Sequence, residues 1–581
     1  MLWLFSCALI SDADRKARMD ADDDGWEVPA DCDDSSDEVF PSRVELCNGS
    51  DDDCDGNIDE GLDQSTWYVD GDGDGFGIDE SVEACEQPEG YVDNDLDCDD
   101  LDPEVRPDAE EICGDGVDNN CIDDGDVCRL QGELSYLDAD AVLQGDSESG
   151  AAGWALRWIP GLDDTPDSLV VGAPAREDFA GTVYLVTRVE SGQNLLEDQP
   201  VRIRGDEGML LGFAVDFVPA LDGEGPELLI GAPGTDLDSG RVYRADTPVG
   251  GTVPVDGMDY IYGSSKGATL GAAVLGCPDL TGDALADVAL GAPVASMGIG
   301  SAEPGRVSVH DAAFTGAVRD GDATALITDD NATTLFGTAL GAADADGDGQ
   351  PDLLVGAPTD SEAALAGGSI SVFYGPLSGS FSIEDRDAVV LASFPGDNLG
   401  SALDASGDLN LDGYRDLLVG ASGSSVGEER AGAAALFTGP INTAEVELTD
   451  ALVLVRGEQG RAGASCAQCV GGSIAFAGDI DQDAFGDVLI GAGRYDFNGP
   501  QGDDDSAALF YGGSGLAGTY DYSDADLLIE GARNSYFGGK VGSAGDMNVD
   551  GITDLAVGAI GQGNGGVEGA GAVFLFWGSA P

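Results

Sequence analysis

The sequence predicts an all-β protein: a seven-bladed β-propeller preceded by a small, disulfide-rich, calcium-binding module. An apolar run ending in Gly-Ala recurs seven times, alternating apolar segments and Gly-rich turns fill each interval, and eight Cys fall between residues 32 and 128. These patterns predict a leader remnant with a lipoprotein-like anchor and linker at 1–18, two Cys- and Asp-rich repeats at 19–128, and the propeller at 132–581.

The Gly-Ala repeat predicts the number of blades. A Phe-Gly or small-residue element, such as Leu335-Phe336-Gly337, precedes it by 19 or 20 residues, and an alternating segment such as 368–374 follows. A further short strand, such as 525–529, opens the unit. We therefore expect four strands in each blade and seven blades closed in a ring, with an open solenoid as the alternative. The repeated glycines are Gly172, Gly231, Gly291, Gly356, Gly420, Gly491 and Gly558.

These units resemble FG-GAP repeats, the blades of the integrin α-subunit propeller, over roughly residues 140–577. The resemblance implies a rigid propeller that presents loops for adhesion or recognition. Propellers of this kind also occur beside hydrolase or lyase chemistry, so an enzyme-associated role stays open as an alternative.

Side chains that carry oxygen atoms recur at fixed spacing between the Phe-Gly and Gly-Ala elements of blade four. Positions 1, 3, 5 and 9 of this loop are carboxylates and position 6 is Gly, a set that suits a calcium ion. Carboxylates so close repel one another unless a cation lies among them. The candidate ligands of blade four are Asp344, Asp346, Asp348 and Asp352, with the main-chain carbonyl of Gln350. Those of blades five and seven are Asp408, Asn410, Asp412, Asp416, Asp546, Asn548, Asp550 and Asp554.

Blades three and six keep the ligands but have Ala284 and Ala484 at the glycine position, which predicts weaker binding. Blades one and two place Pro160 and Pro219 at position 1 and cannot bind calcium in this way. The sequence therefore predicts about five calcium ions in the propeller, unless the loops are ordinary Asp-Gly turns. The ligands of blades three and six are Asp279, Thr281, Asp283, Asp287, Asp479, Asp481, Asp483 and Asp487.

The N-terminal repeats contain few large apolar residues, so disulfides and ions are expected to hold them together. They resemble the Cys- and Asp-rich metal-binding repeats of bacterial surface proteins and, more loosely, thrombospondin type 3 repeats. One branch of the resembling family binds copper, but these repeats have no His and no CxxC pair, so calcium is expected rather than copper or zinc. The candidate ligands are Asp20, Asp22, Asp24, Asp51, Asp53, Asp55, Asp59, Asp70, Asp72 and Asp74.

The first residues and the charge bear on location and partners. Leu4-Phe5-Ser6-Cys7 resembles a lipobox without the basic segment or long apolar run of a leader, which predicts lipid attachment at Cys7 and a start further upstream. No later run approaches the ~18 apolar residues of a membrane span. A formal net charge of −88 argues against nucleic acid and anionic membrane surfaces as partners. We expect an extracellular or cell-surface protein, such as an outer-membrane lipoprotein.

The sequence does not predict an enzyme. Residues 263–267 and 423–427 match GxSxG, but His310, the only imidazole, aligns with Phe373 and is expected to pack within a strand. The leading interpretation is a calcium-binding adhesion or recognition protein whose partner is an extracellular protein or glycan. The alternatives are a propeller associated with hydrolase or lyase activity that uses Asp/Glu chemistry, and a structural, calcium-dependent component of a surface coat.

Overall fold

The computed structural model divides the chain into two compact units between Cys128 and Arg129. Among its described residues, no helix is long and apolar enough to cross a membrane, and Cys7 lies outside them. The described residues are 19–62, 65–85, 87–107, 109, 117, 119, 121, 130–161, 167–187, 189–219, 226–235, 239–246, 250–293, 304–441, 444–458, 468–493, 505–513, 515–542, 545–563, 567 and 569–578.

The N-terminal unit is held by cross-links rather than by a hydrophobic core. Its sheet is antiparallel with strand order β2-β1-β3, where β1 is Ser65–Val69, β2 is Ile78–Ala84 and β3 is Tyr91–Val92. Within its described residues, Val105 is the one buried hydrophobic side chain. The expected disulfide framework is confirmed by the pairs Cys32–Cys54, Cys47–Cys85 and Cys98–Cys121. Cys113 and Cys128 lie outside the described residues.

The second unit contains seven five-stranded sheets, which confirms the seven-bladed propeller. The strands of its first half are β4 (Gly132–Ser135), β5 (Ala141–Gln144), β6 (Ala155–Ile159), β7 (Ser168–Ala173), β8 (Thr182–Val186), β9 (Gly192–Leu195), β10 (Val201–Arg204), β11 (Val215–Val218), β12 (Glu227–Ala232), β13 (Arg241–Asp246), β14 (Gly251–Pro254), β15 (Asp259–Tyr262), β16 (Ala273–Cys277), β17 (Asp287–Ala292), β18 (Arg306–Asp311), β19 (Ala317–Arg319) and β20 (Ala325–Thr328).

The remaining strands follow the same alternation of apolar segments and Gly-rich turns. They are β21 (Leu340–Ala343), β22 (Asp352–Ala357), β23 (Ser369–Phe373), β24 (Gly379–Ser382), β25 (Ala388–Leu391), β26 (Leu399–Asp404), β27 (Leu417–Ala421), β28 (Ala433–Phe437), β29 (Glu445–Glu447), β30 (Val453–Arg456), β31 (Ser473–Gly478), β32 (Asp487–Gly491), β33 (Ser506–Phe510), β34 (Gly518–Asp521), β35 (Leu527–Glu530), β36 (Phe537–Val541), β37 (Leu555–Ala559) and β38 (Ala572–Phe576).

Helical structure is limited to short turns among the described residues. A four-residue helix, α1, spans Arg176–Phe179 and contains two residues with non-helical backbone angles. Six 3-10 turns connect outer strands at Tyr136–Asp138, Leu196–Asp198, Asp320–Asp322, Ile383–Asp385, Leu448–Asp450 and Tyr522–Asp524.

Each blade has five strands, so the expectation of four is wrong. In blade four, β21, β22, β23 and β25 are antiparallel neighbours, and β29 from the next unit pairs in parallel with β25. The strand expected to open unit seven, β35, is instead the fourth strand of blade six. The sequence repeat and the blade therefore do not have the same boundaries. After its third strand in one blade, the chain adds an edge strand to the preceding blade and then returns to supply the fourth strand. The sequence period alone does not reveal this exchange.

The N-terminal strands of the propeller close the ring. Strand β4 pairs in parallel with β35 and completes blade six, and β5 pairs with β38 and supplies the fourth strand of blade seven. Strands from the two ends of the unit therefore share a sheet. An open solenoid has no such pairing, so this alternative is wrong.

The hydrophobic core lies between the sheets. The buried side chains form seven clusters, one for each pair of adjacent blades. Strand β22 shows the cause: Leu353 and Val355 contact blade three, whereas Leu354 faces blade five. Successive side chains of a strand point to opposite faces, and both faces of each sheet are covered.

The Gly-Ala glycines mark the closest contacts between blades. A Cβ atom on Gly356 would lie 2.3 Å from the carbonyl oxygen of Gly400, the Phe-Gly glycine of the next blade. All seven Gly-Ala glycines make this contact, and the ring closes with Gly558 against Gly153. The repeat signature therefore identifies the positions at which two backbones leave no space for a side chain.

Candidate metal centres

Five similar loops connect the innermost and second strands of blades three to seven. In blade four, Asp344 accepts hydrogen bonds from the amides of Gly347 at 2.8 Å and Gly349 at 2.9 Å. Asp346 accepts the amide of Asp348 at 2.9 Å. The loop thus wraps around its own carboxylates, whose oxygens keep further lone pairs that could face a cation.

Blades five and seven repeat this geometry. Asp408 accepts the amide of Gly413 at 2.9 Å, and Asp546 accepts the amide of Gly551 at 3.0 Å. In blade seven the position-3 side chain is an amide, and its Nδ2 donates to the position-5 carboxylate at 2.8 Å. The side chains at positions 3 and 5 therefore lie in contact, and the carboxylate at position 1 is held by the amide at position 6.

Non-glycine residues in the left-handed region produce the sharp turns of four loops. Leu411, Val549 and Gln482 at position 4 have φ between 58° and 63°. Ala284 and Ala484 at position 6 have φ of 70° and 76°, so blades three and six make this turn without Gly. For a residue with a Cβ atom, this conformation costs roughly 1 kcal/mol of conformational free energy. Surrounding interactions must hold these loops in place.

The position-9 carboxylates are the most buried members of the loops. They join each hairpin to its blade, since Asp352 accepts the amide of Ala345 at 2.7 Å and that of Gly375, beyond the third strand, at 2.8 Å. None of the five forms an ion pair with a described residue. Their side chains are at most 1% exposed: Asp287, Asp352, Asp416, Asp487 and Asp554.

Burial without a cation disfavours the charged form of these groups. Desolvation, partly offset by amide hydrogen bonds, raises the pKa of Asp287 and Asp352 to about 6 and that of Asp487 and Asp554 to about 7. The pKa of Asp416 is raised for the same reason. A divalent ion in each loop would favour the ionised form.

Blade two provides an internal comparison because it lacks the loop ligands. Its position-9 residue, Glu227, lies 3.2 Å from Nε of Arg244, whose guanidinium also lies 3.0 Å from Asp259. A side-chain cation thus neutralises the buried carboxylate where no metal set is present. In blade one the corresponding residue is Ser168, which carries no charge.

The N-terminal unit gathers carboxylates in two matching groups. In the first, carboxylate oxygens of Asp20, Asp22 and Asp24 lie within 4.8 Å of one another. Asp31 lies beside them, 4% exposed, and its Oδ2 makes no hydrogen bond. Desolvation, opposed by the amide of Asp24, and repulsion from neighbouring carboxylates raise the pKa of Asp22.

The second group repeats this arrangement around Asp72 and Asp74. Asp97 corresponds to Asp31 and is 8% exposed, and its Oδ2 has no hydrogen-bond partner. Desolvation, partly offset by an amide hydrogen bond, and repulsion from Asp74, Asp72 and Asp100 raise the pKa of Asp97. Sequence analysis missed Asp31 and Asp97 as candidate ligands. The repeated Asp-Cys-Asp-Asp at 31–34 and 97–100 was the available signal.

A further carboxylate cluster lies in the first repeat. Glu45, Asp51 and Asp53 lie within 4.8 Å of one another, as do Asp53, Asp55 and Glu60. Glu45 and Glu60 are therefore additional candidates that spacing did not indicate. Two predicted ligands remain: Asp59 Oδ1 accepts the amides of Asn48 and Gly49 at 3.1 and 3.2 Å, and Asp70 Oδ1 accepts the amide of Gly73 at 2.8 Å.

The residues considered for catalysis occupy structural positions. His310 lies on β18 and is 4% exposed, which confirms its packed strand position. The Ser265 hydroxyl lies 3.4 Å from Arg306, and Ser425 Oγ accepts the amide of Arg430 at 3.0 Å.

Comparison with known proteins agrees with this architecture. The FG-GAP repeat model matches residues 336–373 and 399–437, and a model described as "Putative metal-binding motif" matches residues 31–60 and 97–127. The chain therefore contains matches to the FG-GAP repeat in two of its propeller blades, and two N-terminal matches to this metal-binding motif.

Similar curated proteins are integrin α chains. Integrin alpha-PS2 of Drosophila melanogaster is 28% identical over 48% of this chain and 21% of its own length. Integrin alpha-V of Gallus gallus is 26% identical over 48% of this chain and 26% of its own length. Integrin alpha-PS5 of Drosophila melanogaster is 34% identical over 27% of this chain and 15% of its own length. The chain covers about a quarter or less of these relatives.

Proposed function

We propose that this protein is a calcium-binding adhesion or recognition protein of the cell surface or extracellular space. The observation that carries the proposal is the repeated oxygen-lined hairpin, which occupies the same position in five blades and holds a buried carboxylate without a cationic side chain. The similarity to integrin α chains supports the recognition role. The partner is an extracellular protein or glycan.

Calcium suits the candidate sites better than other metals. The donors are carboxylate, amide and carbonyl oxygens, which hard cations prefer. The thiols of the described disulfides are not free to bind copper or zinc. The ions would hold the hairpins rigid at one end of the propeller.

The recognition surface lies at the opposite end. The second strand of each blade ends there and the third begins there, and the number of residues between them varies, from residues 174–181 in blade one to residues 492–505 in blade six. Binding surfaces are commonly formed by such variable loops on a rigid scaffold. Leu365, 77% exposed, and Phe394, 43% exposed, lie on this end and offer apolar contacts.

No described feature favours the hydrolase alternative. That function would need carboxylates available for acid-base chemistry in the central channel. The two carboxylates that line the channel are already engaged: Asp216 pairs with Arg157 at 2.7 Å, and Asp404 accepts the amides of Ser406 and Phe476 at 3.0 Å.

The recognition role is tested by binding of the calcium-loaded protein to panels of extracellular proteins and glycans. Leu365→Ser at the variable end should weaken capture of a bound partner at least tenfold. Leu411→Ser is the matched control, because Leu411 is a 54% exposed leucine at the calcium end. Loss of binding with Leu411→Ser alone would show that recognition occurs at the calcium end and would contradict the proposed surface. Failure to capture any partner from either panel would contradict the recognition role.

The N-terminal sites are tested by counting bound calcium in Asp97→Asn and Asp31→Asn. Each substitution should remove the ion of its own repeat and leave the other repeat loaded. Asp37→Asn, an exposed aspartate of the same unit, is the control. An unchanged ion count in both variants would remove Asp31 and Asp97 from the ligand set.

A further inference from the structure

A cavity of about 500 Å³ lies on the axis of the propeller. Residues from the innermost strands of all seven blades line it, so it is the central channel rather than a surface groove. Its volume falls within the range of pockets that bind small molecules.

The charge of this cavity is opposite to that of the chain. Its charged lining residues are three cations, Arg157, Arg415 and Lys540, and two anions, Asp216 and Asp404. The whole chain has 112 Asp+Glu against 24 Lys+Arg. A local excess of positive charge in so acidic a protein requires a specific explanation.

Three of these charged groups, Arg157, Asp216 and Asp404, already have partners, either one another or backbone amides. Arg157 Nε lies 2.7 Å from Asp216, which also accepts the amide of Gly276 at 2.9 Å. The guanidinium of Arg157 lies over the ring of Phe217, 5.5 Å from its centroid. The Asp404 carboxylate accepts two backbone amides at 3.0 Å. These groups need no ligand.

Lys540 and Arg415 have no such partner. Within the described part of the chain, neither side chain makes a hydrogen bond or lies within 4.0 Å of a carboxylate. Arg415 is exposed at the rim, whereas Lys540 is half-buried on β36. Desolvation lowers the pKa of Lys540; Asp404 and Asp216 oppose this effect and Arg157 adds to it. An anion in the cavity would meet donors that the fold leaves unused.

We propose that the central cavity binds a small organic acid, with its carboxylate on the ammonium group of Lys540. Arg415 would attract the acid at the rim. Trp154 and Phe213, whose ring centroids are 5.1 Å apart, line the same cavity and offer an aromatic surface to the body of the ligand. The site involves none of the candidate metal ligands and does not depend on the recognition surface.

Calorimetric titration of the calcium-loaded full chain tests the proposal. The probes are D-glucuronate and benzoate at constant ionic strength, with D-glucose and benzamide as uncharged counterparts. At least one acid should bind with 1:1 stoichiometry and a Kd below about 1 mM, and its uncharged counterpart should not bind. The acid that binds distinguishes a sugar body from an aromatic one. Absence of saturable binding by both acids would overturn the proposal.

Variants identify the site. Lys540→Gln should weaken the bound acid at least tenfold, and Lys540→Arg should retain most of the affinity because it keeps the charge. Lys266→Gln is the matched control, since Lys266 is an exposed lysine outside the cavity. Unchanged affinity in Lys540→Gln would place the acid elsewhere and overturn the proposal. If Lys540→Gln fails to fold, Lys540→Met and Arg415→Gln provide the same comparison.

Discussion

His310 illustrates how one buried side chain can make the propeller sensitive to pH. Its Nε2 has no hydrogen-bond partner, and desolvation lowers its pKa from 6.5 to about 4 despite Asp320 and Asp322. The unfolded chain takes up a proton near pH 6.5, whereas the folded chain does so near pH 4. The contribution of His310 to stability is therefore complete above about pH 6.5 and is lost as pH falls toward 4.

Replacing His310 should reduce this dependence. Phe373 occupies the equivalent strand position in blade four, so His310→Phe is expected to fold. The free energy of unfolding of the wild type should fall by about 2 kcal/mol more than that of the variant between pH 7.5 and pH 5. Denaturant titrations at the two pH values measure this difference. Parallel losses in the two proteins would show that His310 is not the responsible group.

Local spacing indicates the candidate ligands of the propeller loops, but it does not indicate the buried carboxylates of the N-terminal groups. Spacing alone identifies Asp344 and its neighbours because one short hairpin supplies them. Asp31 and Asp97 reach their groups through folding that the disulfides Cys32–Cys54 and Cys98–Cys121 fix. Local spacing carries no information about such contacts.

At the scale of elements, the blades depend on glycine at their contacts. Gly356→Ala would place a methyl group 2.3 Å from the carbonyl oxygen of Gly400. The variant should lose about 1–3 kcal/mol of stability, because two backbones would have to separate. Chemical denaturation in saturating calcium measures the loss.

Gly515→Ala is the control for this prediction. A Cβ atom at Gly515 would meet no atom within 4 Å, so the change should alter stability by less than about 0.5 kcal/mol. Equal stability of Gly356→Ala and the wild type would show that the blades can separate at little cost.

The sequence predicted most strands but not their assignment to blades. The alternation in 368–374 predicts a strand, and β23 confirms it. The parallel pairing of β25 with β29 joins residues 56 apart, as between Val389 and Glu445. Pairing partners at this distance are set by the closed ring rather than by either local segment.

At the scale of the whole molecule, the ring is held closed by its N-terminal strands. A chain that begins at residue 130 keeps β4 and β5, whereas a chain that begins at residue 146 removes one strand from blade six and one from blade seven. The longer chain should melt cooperatively near the temperature of the propeller in the full protein. The shorter chain should melt at least about 10 °C lower or aggregate, because two sheets lose strands and expose their edges. Equal melting temperatures would contradict closure by β4 and β5.

The net charge of −88 disfavours the compact state through repulsion among carboxylates. Bound calcium would lower this repulsion where it is most concentrated, in the hairpins and the N-terminal groups. The central claim is therefore that calcium loading and propeller stability are coupled.

The most direct test is thermal unfolding of the exhaustively chelated chain during calcium titration, with bound ions counted in parallel. At tenfold excess over Kd, five propeller sites would add about 7 kcal/mol, which predicts a rise in melting temperature on the order of 10 °C. The count should reach about five ions in the propeller, plus further ions in the N-terminal unit. An unchanged melting temperature with no bound ion would contradict the account and reduce the Asp loops to ordinary turns.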